Sequence, residues 1–585
     1  MGTCRHPATS GFTERRMIVS LRKTVMTSLI GALALSILAP AAYGKREAPQ
    51  TPTNLAAGLS YSVSAPPSAT YPDAGNELTD GSYAATVLSS PGWQGHLRGM
   101  SRTVSFDLQQ LKSVSEVKAN FLQNNGSAVY FPMKVTVSVS KDGTEWGTLA
   151  EIESRIPTHD PAKRTQAYAW NGAVDGLPRG NPHADMVLAR YVNVTFTTDD
   201  WVFLDEIEIW GVDGRAPSAK TLPPDEPAAP EQPGYLQPGE ATAGIRSLAL
   251  LYNGWNASGF GNWTKPSIMP YLGYENASGE TVDLLFDGVL FLGLNAPSTR
   301  SFAESGTPSN KEDWQWYLDK TFAPDGDLSQ LNEAAVEVGT RLGNPSHKAK
   351  AVLMIPYPSF KQSDFGDVDG DGATENMNQT QIGYDAAYEN RRKAIRWYVG
   401  EAIWRWNDAA YSNLEFGGLY WLSEKVNLSA AYEEELIAYT GGLVREGGGR
   451  FFWIPTFEGT RFWRWKELGF DAVAMQPNHF FTPSIPDSRI EAAAGYGKRY
   501  GIGIELETNE RMLRPGAPAS DGDSWRRRYT AYLNGGVEYG YMTGAFRAYY
   551  QGAEAYLKGA RSALPEARAT YDWTYRFVKG TYTKQ

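Results

Sequence analysis

Residues 212–242 divide this 585-residue chain into two segments whose apolar residues recur at different periods. The divider reads TLPPDEPAAPEQPGYLQPGE over most of its length. Such a Pro-, Ala- and Glu-rich run favours an extended, semi-rigid linker over a packed element. Upstream, residues 54–211 alternate apolar and polar side chains in short runs: Thr103 to Leu108, Val114 to Ala119, Lys134 to Ser140, Arg190 to Thr197 and Glu206 to Trp210. Turn residues such as Lys141-Asp-Gly-Thr separate them. Period-two alternation at this spacing predicts an all-β sandwich.

Downstream, residues 244–585 alternate apolar strand candidates with amphipathic helices. The strands are expected at Ser247–Trp255, Leu284–Leu294, Lys350–Tyr357, Phe416–Leu422, Arg450–Phe457, Ala472–Gln476, Tyr500–Glu507 and Glu538–Phe546. The clearest helix runs from Tyr384 to Trp406, with Ala387, Ala394, Ile395, Tyr398, Val399, Ala402, Ile403 and Trp406 on one face. Arg391, Arg392, Lys393 and Glu401 are expected to point away from it. Eight strands with intervening helices predict an α/β (β/α)8 barrel of the TIM type. No GxGxxG follows a strand, which disfavours a doubly wound sheet.

Composition narrows the function. Hydrophobic residues make up 42% and charged residues 21%, a globular balance that excludes a disordered chain. One cysteine, Cys4, excludes a disulfide framework and a Cys-ligated zinc site. The six His form no HExxH spacing. A formal charge of −10 argues against a nucleic-acid partner. Eighteen Trp, 32 Tyr and 23 Phe exceed ordinary core needs, and flat aromatic faces suit sugar rings.

The N-terminus reads as a secretory signal peptide over residues 1–44. Arg15, Arg16, Arg22 and Lys23 precede an apolar run from Thr24 to Pro40, and Ala41, Ala42 and Gly44 supply small residues for cleavage. The expected location is extracellular or periplasmic, with no membrane span in the mature chain. An uncleaved anchor is the alternative reading.

Four stretches give the first segment a family likeness: Asn76 to Ser82, Thr103 to Leu108, Val135 to Trp146 and Leu204 to Gly211. In this order they resemble the discoidin-like family (coagulation factor 5/8 type C). The resemblance implies a jelly-roll carbohydrate-binding module with a structural calcium, for which Asp80 and Glu206 are the ligand candidates. It also implies a ligand site in the loops at one end. Trp93, His96, Arg98 and Trp201 lie in such loop-like stretches, with Trp93 and Trp201 as either sugar platform or edge packing.

Blocks in the second segment include Leu251 to Gly254, Met269 to Tyr274, Leu285 to Leu292, Gly418 to Glu424, Leu468 to Asn478 and Gly503 to Glu507. Together they resemble a family of secreted bacterial proteins known only as a domain of unknown function. That likeness implies a glycosidase-like barrel and supplies no substrate.

The chemistry therefore rests on residues at the C-terminal ends of the barrel strands. Glu424 follows the fourth strand, and Glu505 and Glu507 close the seventh. Alternation turns Ile504 and Leu506 toward the helices and both Glu inward, where core packing does not explain them. Glycoside hydrolysis uses a protonated and an ionised carboxyl across the bond. Glu424 is the expected acid/base, Glu507 the nucleophile and Glu505 the alternative partner. Around them, Asn253, Trp255, Asp287, Tyr357, Trp421, Glu458, Gln476, Asn478, His479 and Arg547 are substrate-binding candidates. Arg547 pairs either with a substrate carboxylate, implying a uronic acid, or with Glu505 or Glu507.

Asp367-Val-Asp-Gly-Asp-Gly resembles a calcium loop, with Asp367, Asp369 and Asp371 at ligand positions and Gly372 at the turn. Its twelfth position is Asn378 rather than Glu, with Glu375 as a substitute. No cofactor is expected for catalysis. The sequence reads as a secreted glycoside hydrolase whose partner is a polysaccharide or glycoconjugate. Endo-action is expected, because a tethered binding module keeps an enzyme on its polymer. The alternatives are a non-catalytic glycan-binding or adhesion protein and a lyase recruiting Tyr420, Lys425 or Arg547.

Overall fold

In the computed structural model, described over residues 50–179, 183–226, 234–514 and 524–585, the two periods become two architectures. The expected signal peptide and Cys4 lie outside the described residues, as do residues 227–233 of the divider. No helix among the described residues is long and apolar enough to cross a membrane.

The first segment is an antiparallel β-sandwich. Its spine is one 24-residue strand, Met100–Gln123, which joins the expected runs at Thr103 and Val114. The spine pairs with Met186–Thr198, Trp201–Asp213 and Arg164–Asn171. Its ladder breaks between Asp107 and Lys112, where Gln109 turns left-handed at φ 67°. This irregularity lets one strand serve both layers. Inward-facing Val104, Phe106, Val117, Phe121, Val135, Val137, Val192, Val194 and Ile207 form the core.

The second segment is a closed parallel barrel, as its alternation predicts. The strands are β1 (Ser247–Tyr252), β2 (Gly288–Leu292), β3 (Ala349–Ile355), β4 (Leu414–Trp421), β5 (Arg450–Trp453), β6 (Ala472–Met475), β7 (Gly503–Glu507) and β8 (Arg547–Tyr550). β8 pairs with β1 and closes the ring. The eighth strand is the one misplaced by the periodicity. Residues 538–546 instead end the helix Trp525–Tyr539 and form the short helix Tyr541–Gly544. Their apolar and glycine content suits the end of a buried helix as well as a strand, and length arbitrates poorly for such short runs.

The helix Tyr384–Ala409 buries Ala387, Ala394, Ile395, Tyr398, Val399 and Ala402 as expected. Arg391 departs from expectation. It continues the same stripe, is 1% exposed, and bonds Glu433 Oε2 at 2.6 Å and the Pro358 carbonyl at 2.7 Å. Helical spacing places a residue on a face whatever its charge, and the buried cation persists because Glu433 is buried with it.

Residues 51–585 form one compact unit, and the described parts of the divider are packed rather than free. Ala219–Lys220 pairs with the strand Met186–Thr198, and Leu222 joins the sandwich core. Tyr235 enters the barrel core and donates to the Tyr539 carbonyl at 3.0 Å.

Candidate active site

A one-residue irregularity in β4 sets what faces the cavity. Residues 416 and 418 pair with successive residues of β3, so Gly417 is an extra residue in the ladder. Gly418 sits at φ 142°, and a Cβ there would lie 1.9 Å from the Arg450 carbonyl oxygen. Only glycine fits so close an approach. A one-residue bulge reverses the facing of everything after it. Tyr420 and Leu422 thereby face the barrel mouth, while Trp421 is buried against Tyr357 and Phe451.

The barrel mouth holds a cavity of about 390 Å³. Glu424, Glu505, Glu507, Gln476 and Asn478 line it, joined by Tyr252, Tyr420, Phe481, Tyr550 and, from the loop after β2, Glu304 and Ser305. The described lining thus carries four carboxyls and no cationic side chain. Lys425 meets Glu304 at 3.5 Å, and Ser423 Oγ donates to the same carboxylate at 2.7 Å.

The carboxyls differ in their support. Glu505 and Glu507 are both 2% exposed. Tyr532 Oη donates to Glu507 Oε2 at 2.6 Å and itself accepts the backbone N–H groups of His479 and Phe480. Burial raises Glu507, while Tyr532 and the backbone at Asn478 and His479 oppose this, leaving it near a pKa of about 7. Glu505 has no hydrogen-bond partner among the described residues. Burial, then Glu507 and Glu424, push it well above the usual carboxylate range. Burial also raises Glu424, with Gln476 and Lys425 opposing and Glu304 reinforcing. Carboxyls this close cannot all ionise. The proton shared by Glu505 and Glu507 belongs on Glu505, because only Glu507 has donors that stabilise charge.

The remaining barrel candidates scatter. Asn253 is fully buried behind the wall, bonded to Tyr317, Thr321 and Asp327. Trp255 lies in an adjoining hollow. Tyr357 packs with Arg391 behind the mouth. Glu458 accepts from Tyr496 Oη at 2.8 Å, outside the cavity lining. His479 is buried with Nε2 2.8 Å from Asp487, and burial holds it neutral with a pKa of about 4.

Two candidates are corrected outright. Asp287 precedes β2, and its carboxylate accepts the N–H groups of Arg246 and Ser247 at the opposite end of the barrel. Arg547 begins β8 instead of following it, and bonds the Met542 carbonyl and, at 3.1 Å, Ser247 Oγ. Neither reaches the mouth. Tyr550, at the far end of β8, does. Glu304 escaped sequence reading because it lies well beyond the end of β2. Bridges between Asn295 and Ser301, and between Ser301 and Pro308, fold its loop back over the mouth.

The sandwich candidates have another fate. Trp93 is buried, with Nε1 donating to the Ala85 carbonyl at 2.8 Å. Trp201 packs edge-on against Tyr71 at 5.6 Å. His96 is buried against Phe196 with both ring nitrogens unpartnered, and burial holds it neutral with a pKa of about 4. Arg98 pairs with Asp200 at 3.9 Å. Of the two Trp, Trp93 is covered and Trp201 keeps part of its surface exposed. This end of the sandwich meets the barrel. Asp199 forms a buried ion pair with Arg461, and Tyr130 Oη lies 2.8 Å from Ser429 Oγ, which donates to Asn125 Oδ1 at 3.0 Å. Ser429 belongs to the loop that carries Glu424.

Two acidic sites suit a hard cation. Glu206 is buried beside Asp80, with Oε2 accepting the Gly81 N–H at 3.3 Å and Oε1 unpartnered. Burial, then Asp80 and neighbouring carboxylates, raise it to a pKa of about 8. In the Asp367 loop, ligand oxygens of Asp367, Asp369 and Glu375 lie within 4.8 Å of one another. Glu375 joins them as the substitute for the twelfth position, whereas Asp371 is not in this trio and accepts the Ala373 N–H. Asn378 caps the short helix Gln379–Ile382. Lys393 already neutralises Asp369 at 2.7 Å.

No curated protein matches this chain. Among solved structures, it is similar to chitosan-binding module 1 of a chitosanase/glucanase from Paenibacillus sp. IK-5. The identity is 20%, covering 27% of this chain and 99% of that one, with a TM-score of 0.19. It is also similar to a CBM32 module produced by Clostridium perfringens, in complex with GlcNAc-α-1,4-galactose. There the identity is 16%, covering 29% and 100%, with a TM-score of 0.19. A family model matches residues 247–576, more than half of the chain and nearly the whole barrel. The protein is therefore a member of the family described as Domain of unknown function (DUF4855).

Proposed function

We propose that the barrel is a glycoside hydrolase acting on a polysaccharide. The observation that carries this reading is the pairing of unlike carboxyls in one cavity. Glu424 is raised by burial, which suits an acid that protonates the departing glycosidic oxygen. Glu507 has Tyr532 and backbone donors that favour its anion, which suits a nucleophile attacking the anomeric carbon. Glu424, once deprotonated, then activates the water that releases the sugar. Glu505, protonated at the floor, donates to a ring hydroxyl.

The described lining offers no cation to meet a substrate carboxylate, which favours a neutral sugar over a uronic acid. The same feature weakens the lyase reading, which needs a neutralising cation, and Arg547 lies elsewhere. Incubating the purified protein with a panel of bacterial and plant polysaccharides tests the reading. New reducing ends without unsaturated rings are expected. Unsaturated products would establish a lyase, and binding without products would establish an adhesion protein.

We also propose that Asp80 and Glu206 hold a structural calcium, and that Asp367, Asp369 and Glu375 form a second, weaker site that competes with Lys393. Calcium would neutralise the buried Glu206, whose free oxygen has no other partner. A chelator is expected to lower the melting temperature. An unchanged melting curve removes both sites.

A further inference from the structure

The carboxylate cavity does not end at its rim. Tyr252, Leu294 and Tyr550 line both it and a second hollow of about 280 Å³. Tyr252 and Tyr550 form the ridge between the two, edge to face at 5.8 Å, with hydroxyls 3.3 Å apart. The second hollow presents Trp255, Phe260 and the amides Asn256 and Asn295. Asn256, Phe260 and Ala553 also line a third, more open depression that ends at Glu554 and Lys558. Three consecutive hollows sharing walls make a groove across the β1–β8 side of the mouth.

Trp255 is 38% exposed, yet the start of the loop that carries it is anchored. Fully buried Asn253 ties the start of that loop to Tyr317 Oη at 2.9 Å, Asp327 at 3.0 Å and Thr321 at 3.1 Å. The Trp255 N–H donates to the Asn295 carbonyl at 2.9 Å. Gly254 approaches Gly293 so closely that a Cβ would lie 2.7 Å from its Cα. A large aromatic held half-exposed by buried polar anchors is not core packing that failed to close. Its position is built, and it costs little to order when a ligand lands on it.

We infer that the Trp255–Phe260 hollow is a second sugar subsite, taking the ring next to the one cleaved, so that the natural substrate is a chain and not a single terminal sugar. This rests on the glycosidase reading of the adjoining cavity. An aromatic face with flanking amides matches a pyranose, which has an apolar face and a rim of hydroxyls.

The test uses the cello-, chito-, xylo- and manno- series from the single sugar to the hexamer. Turnover is measured in the full chain, and binding is measured calorimetrically in a Glu507→Gln protein with and without Trp255→Ala. Affinity is expected to rise with chain length in one series. Trp255→Ala should cost about tenfold on chains of two or more units and little on the single sugar, with Trp255→Phe recovering most of the loss. Equal losses at every length, or no binding in any series, would overturn the subsite. Length-dependent binding through Trp255 without any turnover would leave the subsite standing and remove the hydrolase reading.

Discussion

The barrel mouth and the loop end of the sandwich were expected on the same grounds to be sugar sites. Both place Trp beside charged or amide side chains at strand ends. The structure treats them oppositely. At the mouth, Glu505 lines the cavity and Trp255 the adjoining hollow, Glu505 without a hydrogen-bond partner among the described residues. At the sandwich end, Trp93 is covered, Trp201 leans on Tyr71, and Asp199 and Tyr130 are engaged by the barrel. Residue type nominates a site. What distinguishes the two ends is whether the fold leaves those groups open or closes over them. This end of the sandwich is therefore also part of the framework around the Glu424 loop.

This contrast can be broken in several places. The largest effect is expected at the mouth. Glu424→Gln and Glu507→Gln should each lower product formation by about a thousandfold or more while the melting temperature holds. Near-normal turnover in both would remove the assignment. At the sandwich end the pattern should invert. Trp93→Ala removes a buried side chain and should cost about 3–5 kcal/mol of stability, read by denaturant unfolding, with turnover of the folded fraction retained. If Trp93→Ala instead abolishes glycan binding and leaves stability intact, the sandwich end is a ligand site after all.

The junction between the regions comes next. Asp199→Ala strands the buried Arg461, leaving only Glu434 at 2.8 Å, and should cost about 3 kcal/mol. Adding Arg461→Met should recover much of that loss. Additive losses would show that the pair does not couple the two regions.

The smallest effect is on pH dependence. Glu507 has a folded pKa of about 7 against an ordinary 4.5, so the folded state holds the proton more tightly. Its contribution favours folding at acid pH. That contribution declines as pH rises from about 4.5 to about 7 and is absent above. Glu507→Gln should flatten this slope. In the wild type, kcat/KM should fall as pH drops below about 7, because the nucleophile gains a proton. An acid limb with its midpoint near pH 4 would show that Glu507 is not the group being titrated.

Much of this was legible in the chain. Period two against period 3.6 separated the sandwich from the barrel, and alternation in Gly503–Glu507 turned both carboxyls inward, because side-chain direction in a strand depends only on local geometry. The position of Glu424 at the cavity was legible for a similar reason, as it lies just beyond a strand end. The eighth strand was not legible, since a short apolar run suits a helix end equally, and that error carried Arg547 to the wrong end of the barrel. Arg391 was misread because its charge was weighed above its helical position.

What only the tertiary structure decided is long-range closure. Glu304 joined the cavity when its loop folded back, Trp255 was separated from Asn253 by the direction of one loop, and the sandwich end was filled by a domain distant in sequence. Each of these depends on which surfaces meet, and period and composition carry no information about partners that far along the chain. The sequence determined which groups could do chemistry. Packing decided which of them remain open to a ligand, because a polar or aromatic side chain is free for one only where no other part of the chain has bonded or buried it first.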